Sequence, residues 1–319
     1  LGKHILAQSF SNTLFCICHY EFIILYIALL VLVSVIMLLI EKYLNTTVRH
    51  HIFKRTTRLF TTNINNNNKI DKINASEINL LKEHYFEKQE PVIIENGIQH
   101  WPAIQKWSDI EWMKETYGNH IVPVEVGKNY VDSEQHEIPL GAYLDYVMKK
   151  DTKLDHGELP TLYLAQYDLL NQIQELNDDV ISPFSHQDTN KFNIGKIGKG
   201  DLYSTNMWIS GANTTSNTHR DPLNNIFCQV VGRKYFRIFS PENEEDMYPN
   251  HSVFNSNTSR VEKVDCSQKE FDSAGFPNFY NVKYKEYILQ SGDMLFLPKY
   301  QWHYATSETI SVSVNYWFL

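Results

Sequence analysis

The 319-residue chain predicts a mainly β core with a helical flank, set behind one transmembrane helix. Three observations carry that prediction. Aromatic residues, 13% of the chain, gather in its second half and alternate with polar ones, the pattern of strands that bury one face. The stretch before them has helical periodicity, and helices followed by many short strands suit a barrel-like sheet with helices along one side. Residues 22–40, FIILYIALLVLVSVIMLLI, run for 19 positions without a charge. At about 1.5 Å per helical residue that run is long enough for a bilayer core of ~30 Å.

Taken in order, residues 1–21 form an N-terminal segment and 22–40 the transmembrane helix. Glu41 and Lys42 follow directly, without the small-residue cleavage site of a signal peptide. Lys42, Arg49, Lys54, Arg55 and Arg58 come after the span and only Lys3 before it, so the positive-inside rule places the remainder in the cytosol. The expected location is a single-pass membrane protein with its folded domain facing the cytosol. A soluble cytoplasmic or nuclear protein is the alternative if residues 1–40 are absent from the mature chain. Residues 41–75, with Asn65 to Asn68 in a row and few large apolar residues, read as a polar tether.

The folded domain is expected over 76–319, divided into a helical flank (76–160) and a β core (161–319). Ser76-Glu77 before Ile78, Leu80 and Leu81 reads as a capped helix start, and Pro91 to Ile94 as a short buried strand. Helices are expected over 107–117 and 140–150. Strands are expected over 203–209, 225–231, 234–239, 287–289, 294–298 and 309–318.

Composition excludes some functions. Basic and acidic residues are mixed and the net charge is -8, which argues against a nucleic-acid backbone as partner. The four cysteines form no CxxC pair, so neither a zinc knuckle nor a disulfide framework is expected.

Three His-x-Asp/Glu pairs are present: His156-Gly-Glu158, His186-Gln-Asp188 and His219-Arg-Asp221. On an extended segment, residues two apart point to one side. A facial triad for non-haem Fe(II) needs two neutral imidazoles and one carboxylate on one face, with three positions left open. Only the third pair has suitable company. After His219-Arg-Asp221-Pro222 come Asn225-Ile-Phe-Cys-Gln-Val-Val, Gly232-Arg233 and Lys234-Tyr-Phe-Arg-Ile-Phe, which read as a hairpin returning toward the metal. Lys234, at +13 from Asp221, points inward, where a lysine is costly unless an anion meets it. The anion that suits it is the 5-carboxylate of 2-oxoglutarate. His303, at the end of Gly292-Asp-Met-Leu-Phe-Leu-Pro-Lys-Tyr-Gln-Trp-His303, supplies the third ligand. Asp188 is followed at the same spacing by Asp201 rather than lysine, so His186-Asp188 reads as a decoy. Taken alone, His219 would pass for an ordinary core histidine, and Lys234 for a surface lysine lying along the fold. The joint spacing is what distinguishes them. The run Gly195 to Gly200 lacks the Lys-Ser/Thr of a phosphate loop and reads as a connection.

The segments PVIIENGIQHWPAIQKWS (91–108), VPVEVGKNYVD (122–132), LYLAQYDLLNQIQEL (162–176), THRDPLNNIFCQVVGRKYFRIFSP (218–241) and GDMLFLPKYQWHY (292–304) resemble the Jumonji-C (JmjC) oxygenases of the cupin superfamily. Within them the similarity is greatest to the branch of the arginyl 3-hydroxylases and lysine demethylase 8. The resemblance implies a cupin-type double-stranded β-helix, or jelly roll, that uses Fe(II) with 2-oxoglutarate and O2 as co-substrates. It matches His219, Asp221 and His303 to the iron ligands, and Tyr163, Ser216, Asn225 and Lys234 to residues that hold 2-oxoglutarate. Glu125, Gln166 and Trp208 match positions lining a substrate arginine pocket, although plain core packing explains Trp208 equally well. A carboxylate and an amide suit a guanidinium, and an aromatic face can stack on it. Gln135 stands where that branch has a tryptophan. The function implied is hydroxylation of an arginine side chain on a protein or peptide. The rivals are demethylation of an N-methyl-lysine or N-methyl-arginine, and a membrane-tethered cupin that binds without turnover.

Overall fold

The computed structural model describes residues 68–127, 134–152, 160–184, 197, 201–252 and 255–319. The proposed span 22–40, the tether up to residue 67, the pairs His156-Glu158 and His186-Asp188, and most of the glycine run at 195–200 lie outside these residues.

Thirteen strands among the described residues form two facing sheets. The larger is built from β1 (Asp71–Asn74), β2 (Val92–Glu95), β3 (Ile121–Val126), β4 (Glu134–Pro139), β5 (Leu162–Tyr167), β6 (Leu202–Ser210), β8 (Asn224–Val231), β11 (Met294–Leu297) and β13 (Ser311–Phe318). Its order is β1-β2-β11-β8-β13-β6-β5-β3-β4. The smaller holds β7 (Thr215–His219), β9 (Lys234–Ser240), β10 (Lys283–Leu289) and β12 (His303–Ser307), in the order β10-β9-β12-β7. All pairings are antiparallel except β1 with β2 and the single bridge Lys69–Glu286. Two sheets of this kind, with short helices beside the larger, are the expected mainly β jelly roll.

Period-two patterning decides which face each strand buries. In β13, Val312, Val314, Tyr316 and Phe318 join the apolar core between the large sheet and the helices. The intervening Ser311, Ser313 and Asn315 are fully buried too, and each is hydrogen bonded to a neighbouring strand's polar side chain. A second core, with Phe227, Phe236, Ile238 and Leu295, fills the space between the sheets. A third, with Phe239, Met247, Phe271 and Trp302, includes residues of the 241–282 connection between β9 and β10.

The helical flank is fixed at Asp179, which is only 2% exposed. Its carboxylate accepts from the indole N–H of the fully buried Trp107 (3.2 Å) and from the Lys106 ammonium, and its backbone carbonyl caps Ala103 N–H (3.0 Å). A buried carboxylate held this way is tolerated because each of its oxygens has a donor.

Several expectations are corrected. Gly232-Arg233 closes no hairpin, because β8 pairs with β11 and β13 while β9 pairs with β10 and β12. The turn instead carries the chain from one sheet to the facing one. Gly232 adopts φ +75°, and a Cβ there would lie 1.9 Å from the Ile310 carbonyl oxygen, so only glycine makes the crossing. Residues 71–74, assigned to the tether, form β1, because Ile70 and Ile73 supply buried apolar anchors (2% and 5% exposed). The expected cap at Ser76 moves to Asn74, whose N–H donates to Glu77 (2.9 Å), and the turns that follow are 3-10 and π rather than α. The flank is also less helical than expected, since it contains β2, β3 and β4.

The expected location, a single-pass membrane protein with its domain facing the cytosol, is also corrected. Among the described residues no helix is long and apolar enough to cross a membrane. The longest, Leu140–Thr152, has 13 residues, about 20 Å against the ~30 Å a span requires. The 22–40 run that suggested a span lies outside the described residues.

Candidate metal centre

β7 ends at His219, and Asp221 lies two residues beyond, where the chain leaves the sheet. β12 begins at His303. The two strands are antiparallel neighbours in a register that puts His303 directly opposite His219. Paired residues share a face, so both imidazoles project to the same side. Their ring centroids are 4.2 Å apart. The Asp221 carboxylate closes the group, with one oxygen 3.9 Å from His219 Nε2 and the other 3.9 Å from His303 Nε2. The three donor atoms lie within 4.8 Å of one another.

Backbone carbonyls set the tautomers. His219 Nδ1 lies 2.6 Å from the Asn217 carbonyl, and His303 Nδ1 lies 2.9 Å from the Gln301 carbonyl. A carbonyl only accepts, so each Nδ1 carries the proton and each Nε2 presents a lone pair toward Asp221. Burial, reinforced by the neighbouring His219, pushes His303 down to about 4, so it is neutral at physiological pH. Two imidazoles and a carboxylate, held on one face and open on the pocket side, fit a divalent iron ion with vacant positions.

Lys234 begins β9 and is 3% exposed. Its ammonium lies 3.2 Å from the Tyr163 hydroxyl and over the rings of Phe227 and Tyr163 (5.2 and 5.5 Å). No carboxylate among the described residues pairs with it, and burial pulls its pKa down to about 7. A cation buried without a counter-charge is costly, and an anionic guest relieves that cost.

Glu125, Tyr163, Gln166, Trp208, Ser216, His219 and Asp221 line one pocket. Glu125 in β3 sits opposite Tyr163 in β5, and burial raises its carboxyl to about 7. Gln166 adopts φ +50° at the irregularity where β5 shifts register against β6. A non-glycine residue in the left-handed region is strained. Ser216 bonds the Tyr163 hydroxyl. The Trp208 ring centroid is 5.8 Å from that of Tyr163. Gln135 is exposed and paired with Glu125 across β3 and β4, so it shares the Glu125 face at the edge of the sheet.

Asn225 is reached through a residue that the sequence did not single out. Asn315, fully buried in β13, donates to Asn225 Oδ1 (3.0 Å) and accepts from Trp208 Nε1 (2.7 Å) and Asn206 Nδ2 (3.3 Å). One amide thus holds both Asn225 and Trp208. The signal was present in Ser311-Val-Ser-Val-Asn-Tyr-Trp-Phe318, whose polar positions alternate onto one face. Asn257 and Thr258 also line the pocket, from the 241–282 connection, where Thr258 bridges His219. No spacing rule ties so irregular a segment to β7.

A family model described as a cupin-like domain matches residues 78–319. The chain is 35% identical over 234 residues to "Lysine-specific demethylase JMJ30" of Arabidopsis thaliana, covering 73% of this chain and 51% of that protein. It is 33% identical to "Lysine-specific demethylase 8" of Xenopus tropicalis, covering 78% and 52%. It is 24% identical to the human "Bifunctional peptidase and (3S)-lysyl hydroxylase JMJD7", covering 72% and 77%. The chain therefore spans about half the length of the first two relatives.

Proposed function

Because this chain belongs to the cupin-like domain family, among its JmjC oxygenases, we propose that it is an Fe(II)- and 2-oxoglutarate-dependent protein hydroxylase acting on an arginine side chain. The observation that carries the oxygenase reading is Lys234, a buried cation without a carboxylate partner among the described residues, beside a two-imidazole, one-carboxylate group. Fe(II) is the metal, with 2-oxoglutarate and O2 as co-substrates.

His219, Asp221 and His303 hold the ion, and the backbone bonds to each Nδ1 orient the Nε2 atoms toward it. Bound iron with its co-substrates supplies oxidation of a C–H bond, one oxygen atom of O2 entering the substrate and the other entering succinate as CO2 leaves. Lys234 and Tyr163 receive the distal carboxylate of 2-oxoglutarate, and the guest anion in turn keeps Lys234 protonated. Ser216 orients the Tyr163 hydroxyl, and Asn225, held by Asn315, offers its amide N–H to the co-substrate. Glu125 pairs with the guanidinium, Gln166 accepts from it and Trp208 stacks on it, so that the substrate carbon is held at the open side of the metal. The apolar walls and the Trp208 ring exclude water.

A second reading is N-demethylation, favoured by the names of two relatives, both lysine-specific demethylases. Hydroxylation of an N-methyl group yields a hemiaminal that loses formaldehyde, and the same residues serve. Glu125 and Gln166 favour the arginine reading, because a fork of N–H donors uses both acceptors where a methylated ammonium does not. A cupin that binds without turnover is disfavoured by the complete ligand set. Mass spectrometry of arginine and N-methyl-lysine peptides after incubation with the chain, Fe(II) and 2-oxoglutarate separates the readings. Gain of one oxygen on arginine supports hydroxylation, loss of a methylene from methyl-lysine supports demethylation, and no change in either opposes both.

A further inference from the structure

The residue between the first two ligands, Arg220, and the residue before the third, Trp302, meet at one carboxylate oxygen. Glu244 Oε1 lies 2.7 Å from Arg220 Nη1 and accepts from Trp302 Nε1 at 3.0 Å, and the guanidinium lies over the Trp302 ring at 5.0 Å. Glu244 opens the turn Glu244–Met247 in the 241–282 connection, which also grips Arg220 by its backbone. Arg220 N–H donates to the Asn257 carbonyl (2.9 Å), and Asn257 Nδ2 donates to the Arg220 carbonyl (3.2 Å).

We propose that Glu244 is a positioning residue for the metal centre, clamping Arg220 and Trp302 so that the His219-Asp221 segment and the start of β12 stay in ligand register. This rests on the metal reading above. The chemistry favours a geometric role. Arg220 and Glu244 are 31% and 44% exposed at their side chains, and a pair so open to solvent adds little to folding. Yet it connects two segments that reach the centre from different directions, one of them leaving the sheet at Asp221. Asp221 has no strand pairing of its own, and its backbone carbonyl is bonded to the N–H of Tyr300 at 2.6 Å. Partners that orient a ligand from outside typically change metal affinity by about 10- to 100-fold.

The test is calorimetric titration of the 319-residue chain with Mn(II), a redox-stable probe, together with thermal unfolding of the metal-free protein. The unaltered chain should bind one Mn(II), and D221A none. E244A should bind about tenfold more weakly at a temperature where the metal-free variant is still folded, its melting temperature falling modestly because the Trp302 N–H loses its acceptor. W302F, which keeps a ring but removes the indole N–H, should lose affinity in the same direction by less. R220M/E244A should lose less than the sum of the two single losses, because the two residues act in one clamp. If the unaltered chain binds no Mn(II), the metal reading fails and this inference with it. If that chain binds while E244A matches it, or while the R220M and E244A losses add, the clamp alone is overturned.

Discussion

His219 and His303 stand directly opposite one another across the antiparallel pair β7 and β12, with ring centroids 4.2 Å apart. They are 84 positions apart by number, so neither is placed by local structure. Their meeting depends on the register of two short strands, and a one-residue slip would turn one imidazole to the opposite face.

Lys234 sets the first prediction. Its folded pKa of about 7 lies below the usual 10.5, so burial disfavours the charged form. The penalty is absent above 10.5, grows as pH falls toward 7 and is fully expressed below 7. Lys234→Met should therefore leave the ligand-free protein as stable or more stable at pH 6. It should weaken 2-oxoglutarate by about 10- to 100-fold, the worth of one charge-assisted bond. Thermal unfolding with and without 2-oxoglutarate measures both effects, and unchanged affinity would remove Lys234 from the co-substrate site.

Glu125 sets the second. A carboxyl raised to about 7 is largely neutral at pH 6 and ionised at pH 8. A guanidinium pairs with the ionised form, so KM for an arginine peptide should fall as pH rises from 6 to 8. Glu125→Gln should abolish that slope and raise KM at pH 8. Steady-state succinate formation across this range is the measurement, and a pH-independent KM in the unaltered chain would remove Glu125 from the substrate pocket.

Asn315 sets the third. Asn315→Leu orphans the Trp208 indole N–H and leaves Asn225 without its donor, at about 1–3 kcal/mol for each unsatisfied group. Urea unfolding should show that loss. The variant should also weaken both 2-oxoglutarate and peptide binding, because one amide holds residues of both proposed subsites. An effect on stability alone would make the network purely structural.

Much of this was legible in the sequence. β6, β8, β9, β11 and β13 fall within two residues of their expected bounds, because each combines β-branched or aromatic residues with turn punctuation. β7, Thr-Ser-Asn-Thr-His, and β12, His-Tyr-Ala-Thr-Ser, were missed, since their residues are mostly polar or small and show no apolar alternation. They form strands through tertiary pairing, β7 with β12 and β12 also with β9. The β8–β9 connection was misjudged for a related reason. A glycine turn between two apolar runs has the same local chemistry whether the strands pair or separate into facing sheets. His219, Asp221, His303 and Lys234 could be grouped in advance because their spacing encodes chemistry. Glu244 and Asn257 could not, because what marks them is the partner across the fold.

Anaerobic titration of the chain with Fe(II) and then 2-oxoglutarate, followed by visible absorption, tests the central claim most directly. A charge-transfer band should appear only when both are present, should be absent in Asp221→Ala, and should need far more 2-oxoglutarate in Lys234→Met. An unaltered chain that shows no band, and forms no succinate when O2 and peptide are admitted, would contradict the assignment of this site to 2-oxoglutarate-dependent oxidation.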